Sequence, residues 1–254
     1  MSSTIWTRCA GADEARRVTI EAHRMVEAQH RVATQKLVDD SAEQQILEEL
    51  LERAKPPAPD DAPPGMHYLL RTPFRYPPLR HGSRFGSRAE RGIFYAARDH
   101  GAAFAEVAYY RFVFLADTTA DLGPVATEHT LFNVAIDTAC GVDLTAPPFV
   151  ADEADLVDPV SYGTSQPLGT AMRAAGIEAF LYRSARDPEH GTNVGVFTPR
   201  AFAFPAPVGA ASVWHCLLTP RRVVFTRRDP IAEQIAEYPR AVFEDGDGAL
   251  QRVV

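Results

Sequence analysis

Three short segments of this chain combine residue types that could act together on a charged substrate. The first, HGSRFG at 81–86, sets Arg84 among glycines and a serine. A guanidinium beside backbone that a ligand can approach closely is suited to hold phosphate or carboxylate through paired N–H donors. The second, AAFAEVAYY at 102–110, places one acid, Glu106, among apolar neighbours. On a helix Glu106 shares its face with Ala102, Ala103, Ala105 and Tyr110, so the carboxylate points inward or along a cleft, where an unpaired charge is costly. The third, at 175–197, is an apolar run ending at Tyr182 and followed by Arg183, Ser184 and Arg186. That is the edge at which ligands meet an α/β sheet. Each segment also has a plainer reading: a solvated surface loop for Arg84, a structural ion pair with an arginine for Glu106, and a turn with a capping serine for Ser184.

Other chemistries leave no trace. There is no GxGxxG after a strand, no GxxxxGK[ST] and no GxSxG, so Rossmann, P-loop and serine-hydrolase sites are not expected. The eight histidines are scattered without HExxH or HxH spacing, and no metal site is expected; His81, His100 and His190 read as polar loop residues. Cys9, Cys140 and Cys216 lack CxxC spacing or a disulfide framework, which fits a reducing cytoplasm. The first residues, MSSTIWTRCAGADEARR, show no secretory pattern. The longest uncharged run, between Arg200 and Arg221, is broken by Pro205, Pro207 and Gly209 and cannot span a membrane. The formal charge of −7, from 26 Lys+Arg against 33 Asp+Glu, argues against a nucleic-acid surface.

The elements that must position these residues follow from periodicity. No proline precedes Pro56, and Ala12 to Lys55 contains no glycine. Val18, Ala22, Met25, Val26, Gln29, Val32, Ala33 and Leu37 fit one face of a helix. Ser41 and Gln44 form a capping box ahead of a second helix carrying Ile46, Leu47, Leu50 and Leu51. PPAPDDAPP at 56–64 cannot continue it. The expected organisation is a helical N-terminal region (1–55) packed on the core, a proline-rich linker (56–65) and a main domain (66–254). In that domain strands are expected at 67–71, 93–97, 111–117, 131–137, 177–182, 194–198, 213–217 and 222–226. Helices are expected at 99–110 and 167–175, the second closed by Gly176. The fold class is therefore mixed α/β (α+β) with an N-terminal helical extension.

Taken together, these segments resemble the RES-domain family, the toxin half of RES–Xre toxin–antitoxin pairs. Arg84 in GSRFG resembles the arginine of the family's GGRWN-like loop, Tyr95 in GIFYAA the tyrosine of the next strand, and Glu106 in AFAEVA the glutamate of the following helix, at regular spacings of eleven. Phe85 stands at the family's tryptophan and Gly86 at its asparagine. Arg75 and Tyr76 in PFRYPP resemble an upstream Arg-Tyr pair, with Arg71 a second candidate for that arginine. Ser184 with Asn193 resembles a C-terminal Ser…Asn signature. The resemblance covers about residues 66 to 225, and the N-terminal region looks like the extension of the ParT-like branch.

The resemblance implies a mixed-sheet fold similar to ADP-ribosyltransferase toxins, with NAD as substrate and no metal. It implies that Arg75 and Arg84 hold the pyrophosphate, that Tyr95 stacks on the nicotinamide or its ribose, that Ser184 orients the substrate, and that Glu106 faces the positive charge formed as the nicotinamide–ribose bond breaks. The implied activity is transfer of ADP-ribose to a cellular protein, an enzyme of phosphoribosyl pyrophosphate synthesis in ParT-like members. Its rivals are NAD glycohydrolase or phosphorylase action and, in another class, a non-catalytic anion- or partner-binding module. An Xre/ParS-like antitoxin is the implied partner, with no membrane and no nucleic acid bound by the toxin itself. The arginines at 71, 75, 80, 84, 88 and 91 are expected to make a local basic cleft on an acidic surface.

Overall fold

The structure, a computed structural model, describes residues 4–28, 38–57, 59–77, 80–228 and 233–253. It is a mixed α/β fold built on one long strand. After a single turn of helix, α1 (Ile5–Arg8), the chain enters β1 (Arg16–Glu27), where a helix was expected. Val18, Ile20 and Ala22 are buried in strict alternation, a period of two. The step from Ala22 to Met25 then shifts the buried side, and that step of three is what imitates a helical face. The rest of the expected helix, 29–37, lies outside the described residues.

The second expected helix is present as α2 (Ser41–Ala54). Its cap lies one residue earlier than expected: Asp40 accepts from the amides of Ala42 and Glu43, and Glu43 reaches back to the Asp39 amide. No residue of α2 is buried, and Ile46 and Leu50 stand exposed. Residues 67–71, expected as a strand, instead cap and begin α3 (Tyr68–Arg75), which buries Leu70 and Phe74.

β2 (Phe94–Ala97) leads into α4 (His100–Asp117). The strand expected at 111–117 is the last part of this helix. Its β-forming residues Phe112, Val113 and Phe114 are overridden by helix continuation, because Phe112 reaches the core with Phe104, Ala108 and Tyr109. Then come β3 (Val125–Asp143), α5 (Glu153–Leu156), α6 (Ser165–Ala174), β4 (Ala179–Arg183), β5 (Thr192–Val196), β6 (Val208–Leu218), β7 (Arg222–Arg228) and β8 (Glu233–Pro239). The backbone beyond α6 turns through Gly176 at φ 78°, as expected. β8 was not expected, because EQIAEYP is too polar to read as a strand.

The sheet order is β1-β2-β5-β4-β3-β6-β7-β8, with β1 also pairing back onto β3. β1, β2, β5, β4 and β3 therefore close into a ring, and β6, β7 and β8 extend from the other end of β3. β3 can serve all of these neighbours because it is 19 residues long. It runs antiparallel to β1 along nearly its whole length, antiparallel to β6 at its start, and parallel to β4 only over Gly141–Asp143. The ring strands share one core with Leu70 and Phe74 of α3. A second core lies between α4 and β6–β7, through Phe104, Trp214 and Phe225. A third gathers α6 with Phe85, Phe180 and Tyr182. No helix among the described residues is long and apolar enough to cross a membrane.

One core residue ties this packing to pH. His129 of β3 is 2% exposed, stands edge-on to Phe225, and among the described residues its Nδ1 has no hydrogen-bond partner. Burial, with Arg111 adding repulsion, pushes its imidazole down to about 4. The fold thus prefers the neutral ring: its contribution is complete above the unfolded value near 6.5 and is lost as the pH falls toward 4. Urea unfolding at pH 7 and pH 4.5 is expected to show wild type losing about 2 kcal/mol more than His129→Leu across that interval. Parallel losses in the two proteins would remove His129 as the cause.

Candidate active site

Glu106 lies on the α4 face turned toward the ends of β4 and β5. Its Oε1 accepts two hydrogen bonds, from Ser184 Oγ at 2.8 Å and from Asn193 Nδ2 at 2.9 Å. Ser184 follows directly on β4, Asn193 sits in β5 opposite Tyr182, and so the register of one strand pair brings both donors to the same oxygen. Ser184 is fully buried, and its Oγ accepts from the amides of Arg186 and Asp187. With the lone pairs of the hydroxyl used in this way, its proton is directed to Glu106. Two donors converging on one oxygen fix the rotation of the carboxylate.

Three arginines line a cavity of about 260 Å³ together with Glu106. Arg84 donates to the carbonyls of Leu156 and Asp158 and lies 5.1 Å from the Tyr162 ring. Arg186 donates to the carbonyls of Pro159 and Gln251 and stacks 3.6 Å from the Tyr109 ring. Arg24, from β1, donates to the Tyr95 carbonyl and covers the Phe94 ring. Burial lowers the Arg24 guanidinium to about 10, which still leaves it charged at neutral pH. Among the described residues, none of the three has a carboxylate in ion-pair distance. Their partners are neutral dipoles and ring faces, so their positive charge is fixed in place without being cancelled.

Tyr95 fixes the loop that carries Arg84. Its hydroxyl meets Ser83 Oγ at 3.0 Å and accepts from the Phe85 amide at 3.2 Å, while burial pushes it up to about 12 and keeps it protonated. From below, Gly169 of α6 lets that loop approach closely, since a Cβ there would lie 1.9 Å from the Phe85 carbonyl oxygen. Phe85 itself is fully buried against Phe180 and Tyr182.

Of the residues singled out from sequence, the structure brings together Arg84, Tyr95, Glu106, Ser184 and Asn193. It does not bring Arg75 to the cavity. Arg75 ends α3, donates to the Pro56 carbonyl and pairs with Glu52 of α2 at 2.7 Å. Arg71, its rival, does not line the cavity either. Likewise Arg91 is bound to Asp61, so the run of arginines at 71–91 does not form one cleft. Sequence reasoning missed Arg24, His23 and Tyr162. The first two were hidden by the helical reading of β1; alternation of Val18, Ile20 and Ala22 was the signal that could have exposed them. Among the described residues no group of three or more His, Cys, Asp or Glu could hold a metal.

The family model of the RES domain matches residues 50–219. The chain belongs to the RES-domain family. Arg84, Tyr95, Glu106, Ser184 and Asn193 all fall within the RES span, whereas β1, with His23 and Arg24, precedes it. Among solved structures, the M. tuberculosis MbcT–MbcA toxin–antitoxin complex is similar over 84% of this chain and 91% of that chain, at 17% identity and a TM-score of 0.46. No protein of curated function matches the chain.

The Tyr95 contacts define a test of loop anchoring in this RES domain. Tyr95→Phe keeps the ring and removes the hydroxyl shared by Ser83 and Phe85. It is expected to cost about 1–3 kcal/mol in chemical denaturation and to speed hydrogen exchange at the Phe85 amide. Unchanged exchange would show that the hydroxyl does not hold the loop.

Proposed function

We propose that this RES protein is the toxin of a toxin–antitoxin pair, of the ParT-like branch, that cleaves NAD at the nicotinamide–ribose bond and transfers ADP-ribose to a cellular protein. The observation that carries the reading is a single carboxylate, Glu106, locked by Ser184 and Asn193 and facing the same cavity as three arginines that have no carboxylate partner among the described residues. An anion with a cationic, bond-breaking end matches that arrangement. The pyrophosphate meets Arg24, Arg84 and Arg186, and the nicotinamide riboside end enters toward Glu106. The cavity lies near the lower edge of the roughly 300–1,000 Å³ usual for small-molecule sites, which suits one half of a dinucleotide.

As the C1′–N1 bond lengthens, its electron pair leaves with the ring, which departs as neutral nicotinamide. Positive charge then builds on C1′ and the ring oxygen. The free oxygen of Glu106 stabilises this charge more strongly in the transition state than in the ground state, where the charge sits on the nicotinamide. Ser184 and Asn193 act through Glu106 as positioning residues: they hold Oε1 so that Oε2 is presented. Tyr95 positions the Arg84 loop. Arg75 takes no part, and its pairing with Glu52 ties α2 to α3.

In this reading the toxin works in the cytoplasm and is neutralised by an Xre/ParS-like antitoxin, and phosphoribosyl pyrophosphate synthetase is the proposed acceptor. The test is incubation of the purified chain and a cell extract with NAD labelled in its adenosine half. Label on a protein band is expected. Label only in free ADP-ribose, or in its phosphate, assigns glycohydrolase or phosphorylase action instead. Glu106→Gln is expected to lower nicotinamide release by about 10²–10³-fold while retaining NAD binding. Full activity in that variant would remove Glu106 as the catalytic carboxylate, and wild-type protein that binds NAD without releasing nicotinamide would return the site to anion binding alone.

A further inference from the structure

β1 carries a second chemical group to the same cavity. His23 lines it, and its Nδ1 stands 2.8 Å from Asn133 Oδ1. The Asn133 amide is oriented in turn, because its Nδ2 donates to Glu21 Oε1 at 3.2 Å. With Oδ1 therefore the acceptor, the proton of the neutral imidazole is on Nδ1 and the lone pair is on Nε2. The direction of that lone pair follows from the sheet. At His23, β1 has Asn133 of β3 on one side and Ala97 of β2 on the other. A ring that turns Nδ1 to β3 turns Nε2 toward β2, where Ala96 and Ala97 line the cavity. His100, at the start of α4, packs edge to face on the ring at 4.2 Å between centroids and limits its rotation. Glu21, Asn133 and His23 thus form a relay in which an acid orients an amide and the amide orients an imidazole.

We propose that His23 is the general base of the reaction assigned above, and that the nucleophile it serves is a neutral O–H group. This rests on the NAD-cleaving reading and deepens it by naming the class of acceptor. As nicotinamide departs with the C1′–N1 electron pair, the oxygen of the O–H group bonds to C1′, and its proton passes to His23 Nε2 and then to solvent. The balance is NAD⁺ plus R–OH giving ADP-ribosyl–OR, nicotinamide and H⁺. Water and the hydroxyl of a protein side chain share this chemistry. An inorganic phosphate dianion brings its own negative oxygen and needs no base.

The experiment follows nicotinamide release by the full-length protein across pH 5.5–8.5. Other charged groups around the relay are Asp99 and His100 of α4, Glu21 of β1, Arg227 of β7, and Arg24 and Glu106 across the cavity. Wild type is expected to lose rate on the acid side as the imidazole takes up a proton. His23→Gln is expected to lower the rate at pH 7.5 by at least about tenfold and to flatten the acid side, with NAD affinity within twofold of wild type. Asn133→Asp, which sets a carboxylate against Nδ1, is expected to move the acid limb to higher pH; it also covers failure of His23→Gln to fold.

Label mapped by mass spectrometry to a Ser, Thr or Tyr side chain assigns the hydroxyl to protein, and label in free ADP-ribose assigns it to water; label on an amine or a carboxylate overturns the O–H nucleophile. A His23→Gln protein that keeps the wild-type rate and acid limb overturns the base while leaving Glu106 chemistry standing. Nicotinamide release that requires inorganic phosphate and is indifferent to His23 overturns it equally. Wild-type protein that binds NAD and releases no nicotinamide overturns both readings.

Discussion

The fold depends on the double pairing of β3. A strand of 19 residues is held by β1 along one edge and divides its other edge between β6 at the start and β4 at the end. Because β1 is bound so fully to β3, it is carried round to meet β2, and the ring closes there through one register pair, His23 with Ala97. That closure is thin, and its thinness has a use. Where β1 and β2 separate beyond the pair, Arg24 spans the gap to the Tyr95 carbonyl, and the cavity lies between Arg24 and Met25 on one side and Tyr95 and Ala96 on the other. A completed ladder at this point would leave no room for a substrate. The site is the unpaired part of an otherwise paired ring.

Precision in the site comes from the strands on the opposite side of the ring. The β4–β5 pair fixes Asn193 and, one residue past its end, Ser184, so the Glu106 carboxylate is set by sheet register and not by loop conformation. The Arg84 loop has no such ladder and is secured at separate points: the Tyr95 hydroxyl, the buried Phe85 ring and the close approach of Gly169. Removing one anchor leaves the others in place, whereas the two donors of Glu106 converge on a single atom. The energetic consequences differ accordingly. Loss of a loop anchor is a matter of stability and mobility, and loss of a Glu106 donor frees the rotation of the carboxylate directly.

Much of the site was legible in the sequence, and the reason is local. Arg84, Tyr95 and Glu106 lie on consecutive elements at spacings of eleven, and Ser184 and Asn193 flank a short turn between paired strands. These residues were picked out by the resemblance of their local motifs, whereas the convergence of Ser184 and Asn193 on Glu106, from 78 and 87 residues away, was not legible. β1 was not legible, because its apolar residues satisfy two periods at once: Val18, Ile20 and Ala22 alternate, but Ala22, Met25 and Val26 also repeat as a helix does. Absence of glycine and proline then tipped the reading to helix, although what decides the matter is pairing with β3, more than a hundred residues away. The same limit misplaced α3 and the end of α4, where Leu70, Phe74 and Phe112 are buried by partners that no local window contains. Arg24 and His23 were lost with the strand that carries them.

The charge of the cavity shows why sequence density of arginine was a poor guide to it. An arginine matters to an anion only if its charge is uncancelled, and cancellation is a property of neighbours in space. Arg75 and Arg91 belong to the basic stretch but face Glu52 and Asp61. Arg24, Arg84 and Arg186 come from three distant segments, and each is held by carbonyl oxygens and an aromatic face. Carbonyl dipoles orient a guanidinium and offset part of its desolvation, yet they leave its net charge intact. A carboxylate at the same distance would hold it as firmly and reduce the field in the cavity toward zero. Three like charges lining one cavity repel one another, and among the described residues none of them is in an ion pair although the chain carries a net charge of −7. Glu106 is the carboxylate that shares the cavity with them, and its Oε1 is engaged by Ser184 and Asn193, so part of the repulsion is left to be relieved by a bound anion.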